Sequence, residues 1–316
     1  MASAGKPKLR VRLASPRGFC AGVERAIRTV EEALADFGPP VYVRHEIVHN
    51  THVIERLSSM GAVFVEDLAD APDDRPLIVS AHGAPASVMA TAAERKMTAI
   101  DATCPLVHKV HAQVRRHARA GRHVYLIGHS GHPEVVGTMG QAPAGAVTLV
   151  EAASDVELLP DRSGDKAYVT QTTLSVEDTS IVIRALEKRF PGIIAPARQD
   201  ICYATTNRQS AAAAAAKGVD LFLVFGSQTS SNSQRLVETA RRAGAASAAL
   251  IEDARGFDAA LLENVDVIGI SAGASAPEYL IEDFLKMLTE LRTLIIETVQ
   301  TATEDIYFNT PLRSTG

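Results

Sequence analysis

Three cysteines are all that this chain of 316 residues contains. An odd and low count excludes a disulfide framework, and no two of the three form the C-x2-C pair of a structural zinc site. No apolar run approaches the roughly 20 residues that span a bilayer. The N-terminus MASAGKPKLRVRLA lacks the apolar core of about 7 to 15 residues that a signal peptide needs. Neither sign of charge dominates: 32 basic against 37 acidic residues leave a net −5, which creates no field for nucleic acid or an anionic membrane. The phosphate motifs G-x-x-x-x-G-K-[ST] and G-x-G-x-x-G are absent too, so nothing marks a nucleoside triphosphate or a dinucleotide. The expectation is a cytoplasmic protein with reduced thiols, and without a nucleic-acid or membrane partner.

What is present is a soluble globular composition, 46% hydrophobic and 22% charged, in a chain long enough for two or three compact units. Apolar runs predict strands at 11–15, 40–44, 76–82, 97–102, 123–128, 167–171, 221–226 and 267–273. Amphipathic patterns predict helices at 20–37, 50–60, 86–95, 106–120, 176–190, 204–217, 232–244 and 277–292. Such alternation predicts an α/β fold with mostly parallel sheets. The six alanines at 211–216 read as a packed helix face. The tail from 293 reads as one or two extended pieces and is assigned no chemistry.

Cys20, Cys104 and Cys202 each follow an apolar segment and open a helix: CAGVERAIRTVEEAL, CPLVHKVHAQVRRHA and CYATTNRQSAAAAAA. The intervals between them, 84 and 98 residues, are close to the size of a small α/β unit. They predict three similar units at 9–103, 104–198 and 199–292, followed by a tail at 293–316. A single cysteine is usually a small buried apolar side chain. A shared corner favours a joint role, because ligands of α/β sheets bind beyond the carboxyl ends of the strands. A helix N-terminus also favours the thiolate. Three dispersed thiolates suit an iron–sulfur cluster with one iron open to a substrate oxygen.

His49, His82 and His132 sit at ends of apolar segments or in glycine-rich turns, whereas His108, His111, His117 and His123 are expected on a solvated helix face. TQTTLS (170–175), SQTSSNS (227–233) and SAGASAP (271–277) each follow a strand and precede a helix. Capping explains any one of them. Ser175 with Asp178 reads as a capping box, and Ser275 as a cap with Pro277 in the first turn. Together, helix starts and imidazoles make a site for a diphosphate. Glu134, two residues past His132, is either a surface carboxylate or, in a closed site, a proton donor.

RGFCAGVERA, YVRHEIVHN, SAHG, DATCPLVHKVH, GHPEVVGTMGQ, TQTTLS, DICYATTNRQ, SSNS and SAGASAP, in that order between residues 10 and 280, resemble the 4-hydroxy-3-methylbut-2-enyl diphosphate reductase family. The resemblance implies a 4Fe–4S cluster held by Cys20, Cys104 and Cys202, its fourth iron open to substrate. It implies three α/β units in pseudo-threefold arrangement around that cluster. His49, His82 and His132, with Ser230, Ser231, Asn232 and Ser275, match the diphosphate ligands. Thr172 and Glu134 match residues that handle the substrate hydroxyl and its protons.

The implied reaction removes the hydroxyl with two electrons and two protons, giving isopentenyl and dimethylallyl diphosphate in the last step of the methylerythritol phosphate route. The implied electron donor is a ferredoxin or flavodoxin. Two other readings stay open on the residues: a non-redox iron–sulfur hydro-lyase acting on a small phosphorylated or carboxylated alcohol, and a non-enzymatic metal- or phosphate-binding protein. Dependence of turnover on a reductant separates the first of these from the reductase. MASAGKPK is expected to be a solvated extension before the first strand.

Overall fold

A computed structural model describes residues 6–311; residues 1–5 of the expected N-terminal extension and 312–316 of the tail lie outside the described residues. In chain order the elements begin with β1 (Lys8–Ser15), α1 (Ala21–Phe37), β2 (Val41–Arg44), α2 (Thr51–Ser59), β3 (Ala62–Val65) and β4 (Leu77–Val79). They continue with α3 (Ala86–Glu94), β5 (Ala99–Asp101), α4 (Pro105–Arg119), β6 (His123–Ile127), α5 (Pro133–Met139) and β7 (Val147–Val150). Next come α6 (Ala153–Leu158), β8 (Lys166–Thr170), α7 (Val176–Arg189), α8 (Tyr203–Ala215) and β9 (Leu221–Phe225). The order closes with α9 (Ser231–Arg242), β10 (Ser247–Ile251), β11 (Val267–Ala272), α10 (Tyr279–Leu291) and β12 (Thr293–Gln300).

The strands form three parallel sheets, ordered β10-β9-β11-β1-β12, β3-β2-β4-β5 and β7-β6-β8. One motif recurs in all three. A first strand lies between its two successors, as β3-β2-β4, β7-β6-β8 and β10-β9-β11. Strand order therefore reverses beside β2, β6 and β9, and such reversals open the crevices where α/β proteins hold ligands.

The chain divides into two compact units. The first joins the described residues up to Cys20 with His49–Thr51 and Tyr203–Ile306; the second holds Ala21–Val48, His52–Cys202 and the segment from Tyr307. Neither unit is a single continuous stretch of chain. β1 opens the chain, yet it pairs with β11 on one edge and β12 on the other. A buried strand must satisfy backbone groups on both edges, and β12 supplies the second edge in register from Lys8↔Thr293 to Ser15↔Gln300. The first eight residues of the tail, Thr293–Gln300, are thus a strand of the first unit's sheet.

The first unit packs on both faces of that sheet. Leu9, Val11, Leu223, Ile270, Phe225 and Phe284 make one core. On the other face Ala211, Ala212, Ala215 and Ala216 of the alanine run lie against Phe222 and Val224, as small side chains must where helix and sheet approach closely. In the second unit Tyr125 of β6 packs from one face of its sheet and stacks on Phe190, just past α7, at 5.1 Å. Among the described residues no helix is long and apolar enough to cross a membrane.

Gly269 lies in β11, where an added Cβ would stand 2.3 Å from Phe222 Cδ2. Gly269→Ala is expected to cost about 1–3 kcal/mol through overpacking. The urea midpoint should fall at an unchanged slope; an unaltered midpoint would mean that β9 and β11 move apart at no cost.

Candidate active site

The three cysteines occupy one and the same backbone position. Cys20 N–H donates to Ala274 O (3.2 Å), Cys104 N–H to Ala81 O (3.0 Å) and Cys202 N–H to Thr172 O (3.0 Å). Each acceptor stands two residues beyond the last residue of its strand: Ala272 of β11, Val79 of β4 and Thr170 of β8. In the three sheets these are the third strands of the recurring motif. Each cysteine is half-buried and immediately precedes a helix. Cys104 is the N-cap of α4 with Pro105 behind it, and its thiol makes no capping bond. The donor set suits an iron–sulfur cluster: three thiols at equivalent corners, each with its amide already engaged. Among the described residues no three His, Cys, Asp or Glu side chains form the coordination sphere of one metal ion. A cluster instead places each thiolate on its own iron.

The second unit brings Glu134, Thr172, His132 and His82 together. Pro133 opens α5 and His132 caps it, accepting from Glu134 N–H through Nδ1 at 3.1 Å. That bond assigns the remaining proton of the neutral ring to Nε2. The His82 ring meets the His132 ring edge-on at 5.8 Å between centroids. Glycines permit the approach: a Cβ on Gly140 would lie 2.4 Å from Pro85 Cβ, and one on Gly137 3.1 Å from Ala84 N. Glu134 is 2% exposed. Its Oε1 accepts from Thr172 N–H at 2.7 Å and its Oε2 from Thr172 Oγ1 at 2.9 Å. Burial pushes its pKa up to about 7, against the pull of the two Thr172 bonds. A carboxyl poised at neutrality is suited to give and take protons.

The first unit brings together Ser230, Ser231 and Asn232 at the start of α9, and joins Ser275 to His49. Ser230 caps α9, accepting from Ser233 N–H at 3.3 Å and Ser233 Oγ at 3.0 Å. Both bonds use Ser230 as acceptor, so its own hydroxyl proton remains to be donated. The Asn232 amide nitrogen and oxygen and the Ser231 hydroxyl are buried without a hydrogen-bond partner among the described residues. Such groups are costly unless a ligand engages them. Ser275 Oγ donates to His49 O at 2.8 Å. It was expected to cap the following helix, but α10 starts at Tyr279 with Glu278 as its cap. The His49 carbonyl has captured the hydroxyl instead.

Other expectations held or failed for local reasons. Ser175 does cap α7, accepting from Asp178 N–H at 3.1 Å. His111 and His117, expected in solvent, are 3% and 1% exposed, because both lie on the stripe of α4 that also buries Val107, Val110 and Val114. Desolvation lowers the His111 pKa to about 4, so this ring is neutral packing. His111 also fixes the loop after His82: Gly83 has φ +79°, and a Cβ there would stand 2.6 Å from the His111 ring.

A model of the LytB protein family matches residues 11–289. Among curated relatives, the 4-hydroxy-3-methylbut-2-enyl diphosphate reductase of Hyphomonas neptunium is 55% identical over 97% of this chain and 98% of its own. That of Phenylobacterium zucineum is 56% identical over 98% and 99%. The solved E-1-hydroxy-2-methyl-but-2-enyl-4-diphosphate reductase from Plasmodium falciparum superposes with a TM-score of 0.90 at 40% identity, covering 97% of this chain and 96% of that one.

The elevated Glu134 pKa carries a stability signature. The group protonates near 7 when folded and near 4.5 in its ordinary state, so the folded chain binds this proton more tightly. Its contribution is fully present below the ordinary value and is lost as pH rises through 7. Glu134→Gln, uncharged throughout, should gain on the wild type between pH 4.5 and 7 by up to a few kcal/mol. Urea titrations of both proteins across that range test this, and parallel stability curves would contradict it.

Proposed function

The chain belongs to the LytB protein family, and from that membership we propose that it is a reductive dehydroxylase of 4-hydroxy-3-methylbut-2-enyl diphosphate. Two electrons and two protons remove the hydroxyl as water, and the products are isopentenyl and dimethylallyl diphosphate, in the last step of the methylerythritol phosphate route. The observation that carries the reading is the repeated amide–carbonyl bond that sets Cys20, Cys104 and Cys202 at three equivalent corners. These thiols would hold a 4Fe–4S cluster, leaving one iron without a protein sulfur. When bound, such a cluster would relay electrons and provide a Lewis acid for cleavage of the carbon–oxygen bond.

The chain's own residues do the rest. The diphosphate is an acceptor-rich dianion or more, and it is met by donors. Ser230 offers a hydroxyl proton, and the buried Ser231 hydroxyl and Asn232 amide N–H gain their missing acceptors. The N-terminus of α9 adds its backbone field. His132 presents Nε2–H because Nδ1 is occupied by the Glu134 amide, and His82 and His49 add imidazoles. Ser275 contributes when its hydroxyl turns from His49 O toward a phosphate oxygen. Holding the diphosphate fixes the hydroxyl end and excludes unproductive poses.

Protonation of the leaving hydroxyl falls to the Glu134–Thr172 pair. With Glu134 protonated, Thr172 Oγ1 passes its proton to the departing oxygen and receives one from the carboxyl. The buried setting keeps that proton from water at neutral pH. The electrons come from a protein donor such as a ferredoxin or flavodoxin, and the setting is the cytoplasm, where thiols stay reduced.

Anaerobically isolated protein should carry about four irons per chain and lose the substrate hydroxyl only when a reductant is present. Zinc, or turnover without reductant, would overturn the proposal. Cys104→Ser should lose most of its iron, and full iron content would remove that thiol from the ligand set. Glu134→Gln should keep its cluster and its substrate affinity while kcat falls by about 10²-fold or more; near-normal kcat would take the carboxyl out of the proton path.

A further inference from the structure

Each helix opened by a cysteine carries a cation one turn further on, and each cation holds the backbone leading to a different cysteine. Arg25 of α1, five residues past Cys20, donates through Nη1 to Thr103 O at 2.9 Å, the residue before Cys104. Lys109 of α4, five residues past Cys104, donates to Arg198 O at 3.0 Å and Gln199 O at 2.7 Å, and pairs with buried Asp200 at 3.1 Å. These residues lead directly to Cys202. Arg208 of α8, six residues past Cys202, donates through Nε to Gly18 O at 2.9 Å and through Nη2 to Phe19 O at 3.0 Å. Phe19 immediately precedes Cys20. The order is cyclic: the Cys20 helix holds the Cys104 corner, the Cys104 helix the Cys202 corner, and the Cys202 helix the Cys20 corner.

The C-terminal segment reinforces two of the three. Arg208 is 0% exposed, and Glu304 accepts from its Nη1 at 3.0 and 3.2 Å. With Ala204 O at 3.0 Å on the same nitrogen, the guanidinium fork is engaged on all three of its nitrogens. Arg25 donates through Nε to Asn309 O at 2.8 Å. Lys109 has Asp200 in place of the tail, and Gln113 Nε2 holds that carboxylate at 2.7 Å.

We propose that Arg25, Lys109 and Arg208 are positioning residues that preset the three cysteine corners, and that the segment around Glu304 and Asn309 locks the two arginines in place. A corner loop exposes carbonyls that no helix or sheet satisfies. A cation fork ties several of them at once and fixes the direction in which the next residue's thiol leaves the backbone. Preset corners spare the ligands the ordering entropy that cluster binding would otherwise cost. The inference rests on the reading of the three cysteines as cluster ligands.

The test is cysteine-resolved. Holoenzyme is treated anaerobically with an iron chelator and iodoacetamide, and alkylation of each cysteine is followed by mass spectrometry, alongside thermal unfolding. Arg208→Lys keeps the charge but loses the fork, and it should speed alkylation of Cys20 about tenfold over the other two thiols, as expected when a buried pair is broken locally. Glu304→Gln should do the same more weakly, and it stands in should the first variant not fold. A chain ending at Ile306 should select Cys104, and Lys109→Met should select Cys202. Equal acceleration of all three thiols in every variant, tracking a lowered Tm, would reduce the cations to general stabilisers and overturn the proposal. So would unchanged alkylation. Wild-type protein without iron would instead sink the cluster reading itself, leaving the two failures distinct.

Discussion

One backbone hydrogen bond, made three times, organises this protein: the amide of a cysteine to the carbonyl two residues past the third strand of an α/β motif. The bond extends the sheet ladder just beyond its regular end, so the corner that follows inherits the position of a strand rather than the looseness of a loop. What comes next in the chain is a helix, and the cysteine is the residue at the joint. The neighbouring carbonyls belong to segments that carry other candidate ligands. Ala274 precedes Ser275, Ala81 precedes His82, and Thr172 is itself bonded to Glu134. A shift of any third strand would therefore move a thiol and its neighbouring polar group as one body.

The carboxyl ends of the first strands carry the other members. His49 follows β2, His132 and Glu134 follow β6, and Ser230 to Asn232 follow β9. The candidate histidine, serine, asparagine, threonine and glutamate ligands thus leave from a first or third strand, the two between which strand order reverses, whereas Cys20 follows β1 and Cys104 follows β5. The edge strands β3, β7 and β10 contribute none of them. That division follows from topology: a crevice opens only where the crossovers on either side run in opposite directions. Sequence at the edges is released from chemistry and serves packing alone.

The same division explains what could be read from the sequence. β9 and β11, nearly continuous apolar runs buried on both faces, were plain, as were the helices with strong amphipathic stripes. β3, β7 and β10 were not. They are four or five residues long and partly exposed, so their patterns blur into loop. The short α5 and α6 escaped for a similar reason. The cysteine corners were legible as apolar run, cysteine, helix, but the bond that makes them equivalent is backbone and leaves no mark in the residue code. Arg208 did leave one. It occupies a position of the Ala204, Thr205, Ala211, Ala212 and Ala215 stripe of α8, and an arginine on a buried stripe implies a partner. Glu304 lies 96 residues away, and no periodicity reaches that far. His111 and His117 misled because charged neighbours on α4 concealed a valine stripe.

The polar groups left unsatisfied carry the last step of the argument. Ser231 Oγ and both ends of the Asn232 amide have been withdrawn from water without a partner among the described residues. Each such group costs about 1–3 kcal/mol, and a chain evolving for stability alone would replace them. Their surroundings are built to keep them in place. Gly226 and Gly273 leave room for Ser233, whose Oγ would stand 2.2 and 2.0 Å from a Cβ at those positions, and Ser233 in turn holds Ser230. Of the unsatisfied groups, the Ser231 hydroxyl and the Asn232 amide N–H are desolvated donors held in a fixed array at a helix start. An array of that kind rewards a ligand with several anionic oxygens far more than a single carboxylate, because each donor recovers its own lost bond. The ordering is done before the ligand arrives, so the energy of those bonds goes to discrimination and placement rather than to folding the site around its substrate.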